Sequence, residues 1–315
     1  MDEQLKAIIV AHGVFLRREA EQLGYHHTHI ARLVRGGAWH RVRHGAYTFG
    51  DLWREFDDET RYAIRCRAAF RQAKTGVTLS HISALPFLEA PTWGLDTTLV
   101  HLTRADQRAG RKEAGVQQHT GLLVEGDVVT QGELSWTSAT RAALEVTTMA
   151  SVEAALCVVD DLLHRGLTTV GQLKQRYDSI TRWPYTLRTQ LVLRLASPLA
   201  ESVAESRARY QFHVQGLPRP ECQYEIRDAM GNFVARVDFA WPEFKLFVEF
   251  DGAIKYGRLL KPGQTASDAV VEEKKREDRI REVTGWRCIR LTWADLANPE
   301  RTAQRIRQAM ARAAA

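Results

Sequence analysis

Carboxylates stand in this chain where an apolar strand pattern would not put them. In FKLFVEFDG, Glu249 and Asp251 interrupt a run of Phe, Leu and Val, and the two-residue strand period sets both on one face. In VARVDFAW, Asp238 faces away from Val237, Phe239 and Trp241. A sharp turn at Pro242-Glu243 makes these strands antiparallel neighbours, so Asp238 can approach Glu249. Converging carboxylates in apolar surroundings repel one another unless a cation or a basic group compensates. A hard divalent ion, Mg²⁺ or Mn²⁺, suits that role. The plainer alternative for Asp238 is a buried carboxylate satisfied by backbone N–H groups.

These residues need elements to hold them. Ser197 followed by Pro198 reads as a helix start, with the helix running through SPLAESVAESRARYQFHVQG to Gly216. On it Glu201, Glu205 and Arg209 recur every four residues and share a face; Glu205 paired with Arg209 is the simpler alternative to a site role. QYEIRDAMGNFVARVDFAWPEFKLFVEFDG then reads as consecutive strands, turning at Gly231-Asn232 and at Pro242-Glu243. A Gly/Pro-interrupted loop, AIKYGRLLKPGQTASDAV, leads into a charged helix, EEKKREDRIREVTG, whose simplest reading is a solvated face. A strand in GWRCIRLTWADL and a helix from Pro299 to Ala313 close the chain.

The order helix, three strands, helix, strand, helix resembles the PD-(D/E)XK nuclease superfamily. More narrowly it is similar to the DUF559 branch, related to very-short-patch mismatch endonucleases. Glu205 in ESRAR, Asp238 in RVDFAWPE, Glu249 and Asp251 in VEFDG, Lys255 and Tyr256 in IKYG, and EEKKRED before GWRCIRLTWADL carry the resemblance, across nearly all of residues 197–297. It implies phosphodiester hydrolysis, with Asp238 and Glu249 holding Mg²⁺ and Glu205 orienting a metal water or the metal itself. The usual Lys two residues after the second acid is here Asp251, a departure from the pattern. Asp251 then becomes a further ligand, and the cation is expected from Lys255, or next from Lys274 or Lys275. A nuclease-like domain that has lost catalysis is the other outcome of that departure.

Three short helical patterns open the chain: one begun by Leu5, Ile8 and Ile9, one over Leu16–Leu23, and one over His26–Arg35 with Ile30, Leu33 and Val34 inward. AWHRVRHGAYTF follows as a basic β-ribbon that could turn at Gly45. This is the order of a winged helix-turn-helix. Its third helix would offer Thr28, His29, Arg32 and Arg35 to the major groove, and its wing Arg41 and Arg43 to phosphates. The segment GVFLRREAEQLGYHHTHIARLVRGGAWHRVRHGAYTF resembles the winged-helix domain of AbiEi-type antitoxins and regulators of type IV toxin–antitoxin systems. The likeness continues through LSHISALPFLEAPTWGLDTTLVHLT and GELSWTSATRAALEV. The resemblance implies DNA binding, often self-repression, and leaves room for a cognate toxin. Between the two ends, apolar stripes such as Val152, Ala155, Leu156 and Val159 mark a scaffold.

Composition agrees. The chain has 315 residues, 44% hydrophobic and 26% charged, which excludes a disordered or fibrous protein and favours several domains. Expected are a winged helix-turn-helix over 1–50, a mixed scaffold over 51–195 and a nuclease-like mixed sheet flanked by helices over 196–315, an α+β or α/β multidomain fold. Residues 1–50 carry 7 Lys/Arg against 4 Asp/Glu and residues 196–315 carry 20 against 17, which suits a polyanion held at two places. No run of 18 apolar residues or secretory leader is read, and four scattered Cys without a CxxC pair fit reduced thiols, so a cytoplasmic protein is expected. The function expected is a metal-dependent endonuclease on double-stranded DNA, in phage defence or repair, with a homodimer possible on the duplex. The alternatives are a non-catalytic DNA-binding regulator or antitoxin, and an RNase.

Overall fold

The computed structural model of the chain describes residues 2–106, 108, 110–180, 183, 185–250 and 266–313, with side chains from 274 to 312 in the last stretch. Two compact units emerge, one from Met1–Val158 with Arg165–Arg194, the other from Val159–His164 with Leu195–Ala315. The fold is a multidomain mixture of helices and mixed sheets, as the residue patterns lead one to expect. No helix among the described residues is long and apolar enough to cross a membrane.

The first unit opens with α1 (Glu3–His12), β1 (Phe15–Leu16), α2 (Arg17–Gln22), α3 (His27–Arg35), β2 (Trp39–Arg43) and β3 (Ala46–Phe49). Asp2 caps α1 by accepting from the Gln4 and Leu5 amides, and Gly13, at φ 69°, ends it in the left-handed conformation that glycine adopts without steric cost. The three strands pair antiparallel in the order β1-β3-β2. Leu5, Ile9, Phe15, Ile30, Trp39 and Tyr47 form the core beneath them, with the Phe15 and Trp39 rings edge to face at 4.6 Å. These are three helices and a β-ribbon, the winged-helix arrangement.

Helices α4 (Gly50–Glu55) and α5 (Asp58–Gln72) follow. Arg71 on α5 bonds back to this module, donating to the Val14 carbonyl at 2.7 Å and pairing with Glu19 at 2.5 Å. The boundary drawn at residue 50 from the sequence is therefore not a boundary between compact units. A six-stranded sheet comes next, from β4 (Val77–Leu79), β5 (Val100–Arg104), β6 (Lys112–Glu113), β7 (Val116–Thr120), β8 (Val128–Gln131) and β9 (Leu134–Thr137), in the order β6-β7-β5-β4-β9-β8. A 3₁₀ turn (His81–Phe87) and helices α6 (Ala139–Met149), α7 (Val152–His164), α8 (Val170–Asp178) and α9 (Thr186–Leu195) accompany it.

Inside this unit a charged network is closed on itself. Arg141, 2% exposed, pairs with Asp127 at 3.0 Å and with Glu145 at 2.8 Å, and Asp127 also holds Arg176 at 2.6 Å. Glu145 accepts in addition from the amide of His81, whose φ of 55° is costly for a residue with a Cβ. His81 stacks on His119 at 3.8 Å, and burial holds His101 and His119 down at about 4, so these rings stay neutral near pH 7.

The second unit contains α10 (Val203–Val214), β10 (Glu221–Arg227), β11 (Phe233–Trp241), β12 (Leu246–Phe250), α11 (Ala266–Thr284), β13 (Arg287–Leu291), α12 (Trp293–Leu296) and α13 (Pro299–Ala313). Its sheet runs β10-β11-β12-β13, antiparallel except for the parallel pair β12-β13. One face packs Phe212 of α10 and Ile306 of α13 against Phe239, Trp241 and Val248; the other packs Ile280 of α11 against Val237, Ala240 and Phe247. Both faces are covered, which explains the apolar run of β12.

Two sequence expectations are corrected here. The helix carrying Glu205 starts at Val203, not after Ser197. Ser202 wins the capping role, because its hydroxyl accepts from the Glu205 amide at 3.2 Å and donates to the Glu205 carboxylate at 2.7 Å. Ser197 instead donates its amide to Asp160 at 2.8 Å. Val237, expected on the face of Phe239 and Trp241, packs in the opposite cluster. Opposite this change of face, Gln223 of β10 adopts φ 51°, which breaks the strand alternation.

Arg141→Ala leaves Glu145 and Asp127 as buried carboxylates short of a partner. It is expected to destabilise the first unit by about 3–5 kcal/mol, read as a lowered urea midpoint by circular dichroism.

Candidate functional site

The site in the second unit is built on the turn between β11 and β12. Phe239↔Val248, Ala240↔Phe247 and Trp241↔Leu246 set the register, and Asp238 and Glu249 come next on either strand. Asp238 accepts at one oxygen from the Phe250 amide at 2.8 Å, which fastens it to the end of β12. Glu249, 7% exposed, directs Oε1 to Arg276 Nη1 of α11 at 2.8 Å. Its Oε2 is buried without a hydrogen-bond partner among the described residues. Such an oxygen loses its hydration without replacement, a cost expected only where something else is meant to meet it.

Glu205 lies near but is occupied. Besides the Ser202 hydroxyl it accepts from the Glu201 amide at 3.0 Å and from Gln223 Nε2 at 2.9 Å. Burial and then the Asp238 charge push its carboxyl upward. Glu249 is also pushed upward, first by burial; Arg276 opposes this and Asp238 reinforces it. Asp238 thus couples electrically to both glutamates. The structure sets Asp238 and Glu249 side by side on paired strands and leaves Glu205 as a capping residue near them.

Glu205 does not pair with Arg209. Arg209 turns to Asp160, at 2.5 Å, because that buried carboxylate would otherwise stand uncompensated. Asp251 and Lys255 lie outside the described residues. Lys274 and Lys275, the next cation candidates, are exposed. Among the described residues Arg276 is the cation paired with Glu249, and it also donates to the Arg236 carbonyl. Residue types alone did not single it out within eight consecutive charged residues, 272–279. Helical spacing could have: Arg276 and the fully buried Ile280 sit four apart, so the apolar anchor marks the face turned to the sheet.

Whether a hard cation fits is answered by these donors. An unpartnered buried oxygen of Glu249 beside Asp238 fits one, since Mg²⁺ is commonly held by one or two carboxylates, with water and phosphate oxygens completing its shell. A third protein ligand is not in place: among the described residues no three His, Cys, Asp or Glu form a metal-holding group.

In the first unit, Thr28, Arg32 and Arg35 of α3 and Arg41 of β2 are exposed. His29 is half-buried against Tyr25, ring centroids 5.1 Å apart. Arg43 is half-buried and donates to the Ala114 carbonyl at 3.3 Å. The exposed basic side chains thus lie on the third helix and the first ribbon strand, the two elements that a winged helix applies to a duplex.

The N-terminal elements define a winged-helix module, and residues 3–50 match the AbiEi_4 family, described as "Transcriptional regulator, AbiEi antitoxin". The N-terminal segment is thus similar to the domain of that regulator and antitoxin family. Two relatives from Mycobacterium tuberculosis are similar over 123 residues at 33% identity: "Uncharacterized protein MT2308" of strain CDC 1551 / Oshkosh and "Uncharacterized protein Rv2248" of strain H37Rv. The alignments cover 39% of this chain and 42% of each relative, so the chain spans less than half the length of the curated relatives it matches.

The upward shifts of Glu205 and Glu249 carry a sign. Each holds its proton in the folded state at a pH where the unfolded chain has released it, so this contribution to stability is present below the ordinary glutamate pKa and lost as pH rises through the folded values. Urea titrations across that range are expected to show stability of the second unit falling with pH, and millimolar Mg²⁺ is expected to flatten the fall.

Proposed function

We propose that the chain is a metal-dependent DNA endonuclease, with the winged helix holding the duplex and the second unit, a DUF559-like member of the PD-(D/E)XK superfamily, hydrolysing a phosphodiester. The observation that carries this reading is the unpartnered, buried Oε2 of Glu249 beside Asp238, both on strands of a mixed sheet. A divalent cation held there supplies Lewis-acid activation of the phosphate and of water. The protein's own part is orientation and charge. The Phe250 amide fixes Asp238, Arg276 fixes Glu249, and Ser202 and Gln223 fix Glu205, which orders the ground beside the pair. Arg276 places a guanidinium where charge builds on the phosphate, the task for which the superfamily pattern has a Lys at the position of Asp251. The AbiEi-type domain favours a setting in defence against foreign DNA over one in repair.

A second reading, a non-catalytic regulator or antitoxin, is favoured by the commitment of Arg276 to Glu249 and by the absence of a third ligand among the described residues. The two readings part in one assay, in which supercoiled plasmid, duplex oligonucleotide and RNA are incubated with Mg²⁺, Mn²⁺ or EDTA. The endonuclease reading expects metal-dependent nicking of DNA that Asp238→Asn and Glu249→Gln each lower by about two orders of magnitude or more, with duplex affinity retained. Binding without metal-dependent cutting of any substrate leaves the regulator, and cutting confined to RNA replaces the substrate. Arg32→Ala and Arg35→Ala are each expected to weaken duplex binding and to reduce its salt dependence by about one ion, measured by fluorescence anisotropy against salt.

A further inference from the structure

Within the first unit, a cavity of about 450 Å³ opens between the end of α1, helix α5, the 3₁₀ turn and the β8–β9 hairpin. That volume lies within the range of small-molecule sites. Two features of its wall have no use in the fold itself. Trp136 is 7% exposed, yet its indole N–H has no hydrogen-bond partner among the described residues. A buried donor of this kind is strongly disfavoured unless an acceptor meets it. Arg67 is half-buried, and no described carboxylate is paired with it; its guanidinium lies over the Phe87 ring, 5.3 Å from the centroid. Phe87 in turn stacks on Trp136 at 5.5 Å, and Phe70 adds a second apolar surface. The neighbouring Arg71 is already held by Glu19, which leaves Arg67 as the available cation. Glu89 and Glu133 reach the cavity from exposed positions, where water screens their repulsion of an anion.

An unpaired guanidinium, an unmet N–H and flat apolar walls specify complementary chemistry. We propose that this cavity binds a small organic carboxylate with a flat apolar body: the carboxylate on Arg67, the body against Phe70 and Phe87, and an acceptor oxygen on the Trp136 indole. Because His12 of α1 and Arg71 also line the cavity, an occupant touches the winged-helix module directly and through the Glu19 pair.

The test uses the full chain without DNA, so its outcome is independent of the nuclease reading. Fluorinated aryl and arylalkyl carboxylates are compared with their carboxamides by ¹⁹F line broadening. The acids are expected to bind at least about tenfold more tightly than the amides, a preference that Arg67→Gln erases. Trp136→Phe is expected to weaken the acids by about two- to tenfold while the preference stays. The acid–amide comparison needs no variant, so it holds even if Trp136→Phe unfolds the unit. Equal broadening of acids and amides, no broadening of either, or a preference that survives Arg67→Gln overturns the proposal.

Discussion

A carboxylate on a strand whose two faces are both covered must be compensated, and the second unit is arranged around that requirement. Glu249 lies between Val248 and Phe250, and the core packed on β12 leaves it little water. Compensation comes from Arg276, so α11 has to lie along the sheet with Ile280 as its apolar anchor. The neighbouring cation, Arg290, stands opposite Glu249 on β13 and is held by Glu277, four residues before Arg281 on the same helix. The helix thus delivers a cation to one strand and an anion to the next. Among the described residues, half of the Glu249 carboxylate is satisfied in this way and half is not, unlike a fully matched buried ion pair.

The first unit meets the same electrostatic problem with the opposite result. There Arg141, Glu145, Asp127 and Arg176 satisfy one another, and the network supports the strained backbone at His81. Such a mutually paired set holds the shape of the unit. Among the exposed charges of that unit are Arg32 and Arg35 on α3 and Arg41 on the first strand of the ribbon. The exposed basic helix and the half-satisfied carboxylate thus belong to different units, each with its own core.

Local rules of the chain were legible where short-range chemistry decides. The three opening helices, the ribbon turned at Gly45 and the antiparallel approach of Asp238 to Glu249 follow from periodicity and turn residues. Ser197 misled because Ser-Pro is a sound cap in isolation; Ser202 prevails through reciprocal bonds with Glu205, a pattern also present in sequence as Ser-x-x-Glu. The partner of Arg209 was not legible, since Asp160 lies 49 residues away and comes near only through the fold. Nor was the left-handed backbone of Gln223, whose side chain donates to Glu205 of the preceding helix. Arg276, paired with Glu249, is marked in sequence by its four-residue spacing from the apolar Ile280, whereas Lys255 lies outside the described residues.

The backbone of Gln223 has a consequence at the margin of the sheet. β10 is the outermost strand, and an outermost strand ordinarily displays a regular row of amides and carbonyls that another chain can zip onto. A left-handed residue in its middle throws that row out of step. The kink beside the Gln223–Glu205 bond therefore also makes the rim a poorer template for edge-to-edge pairing with another chain.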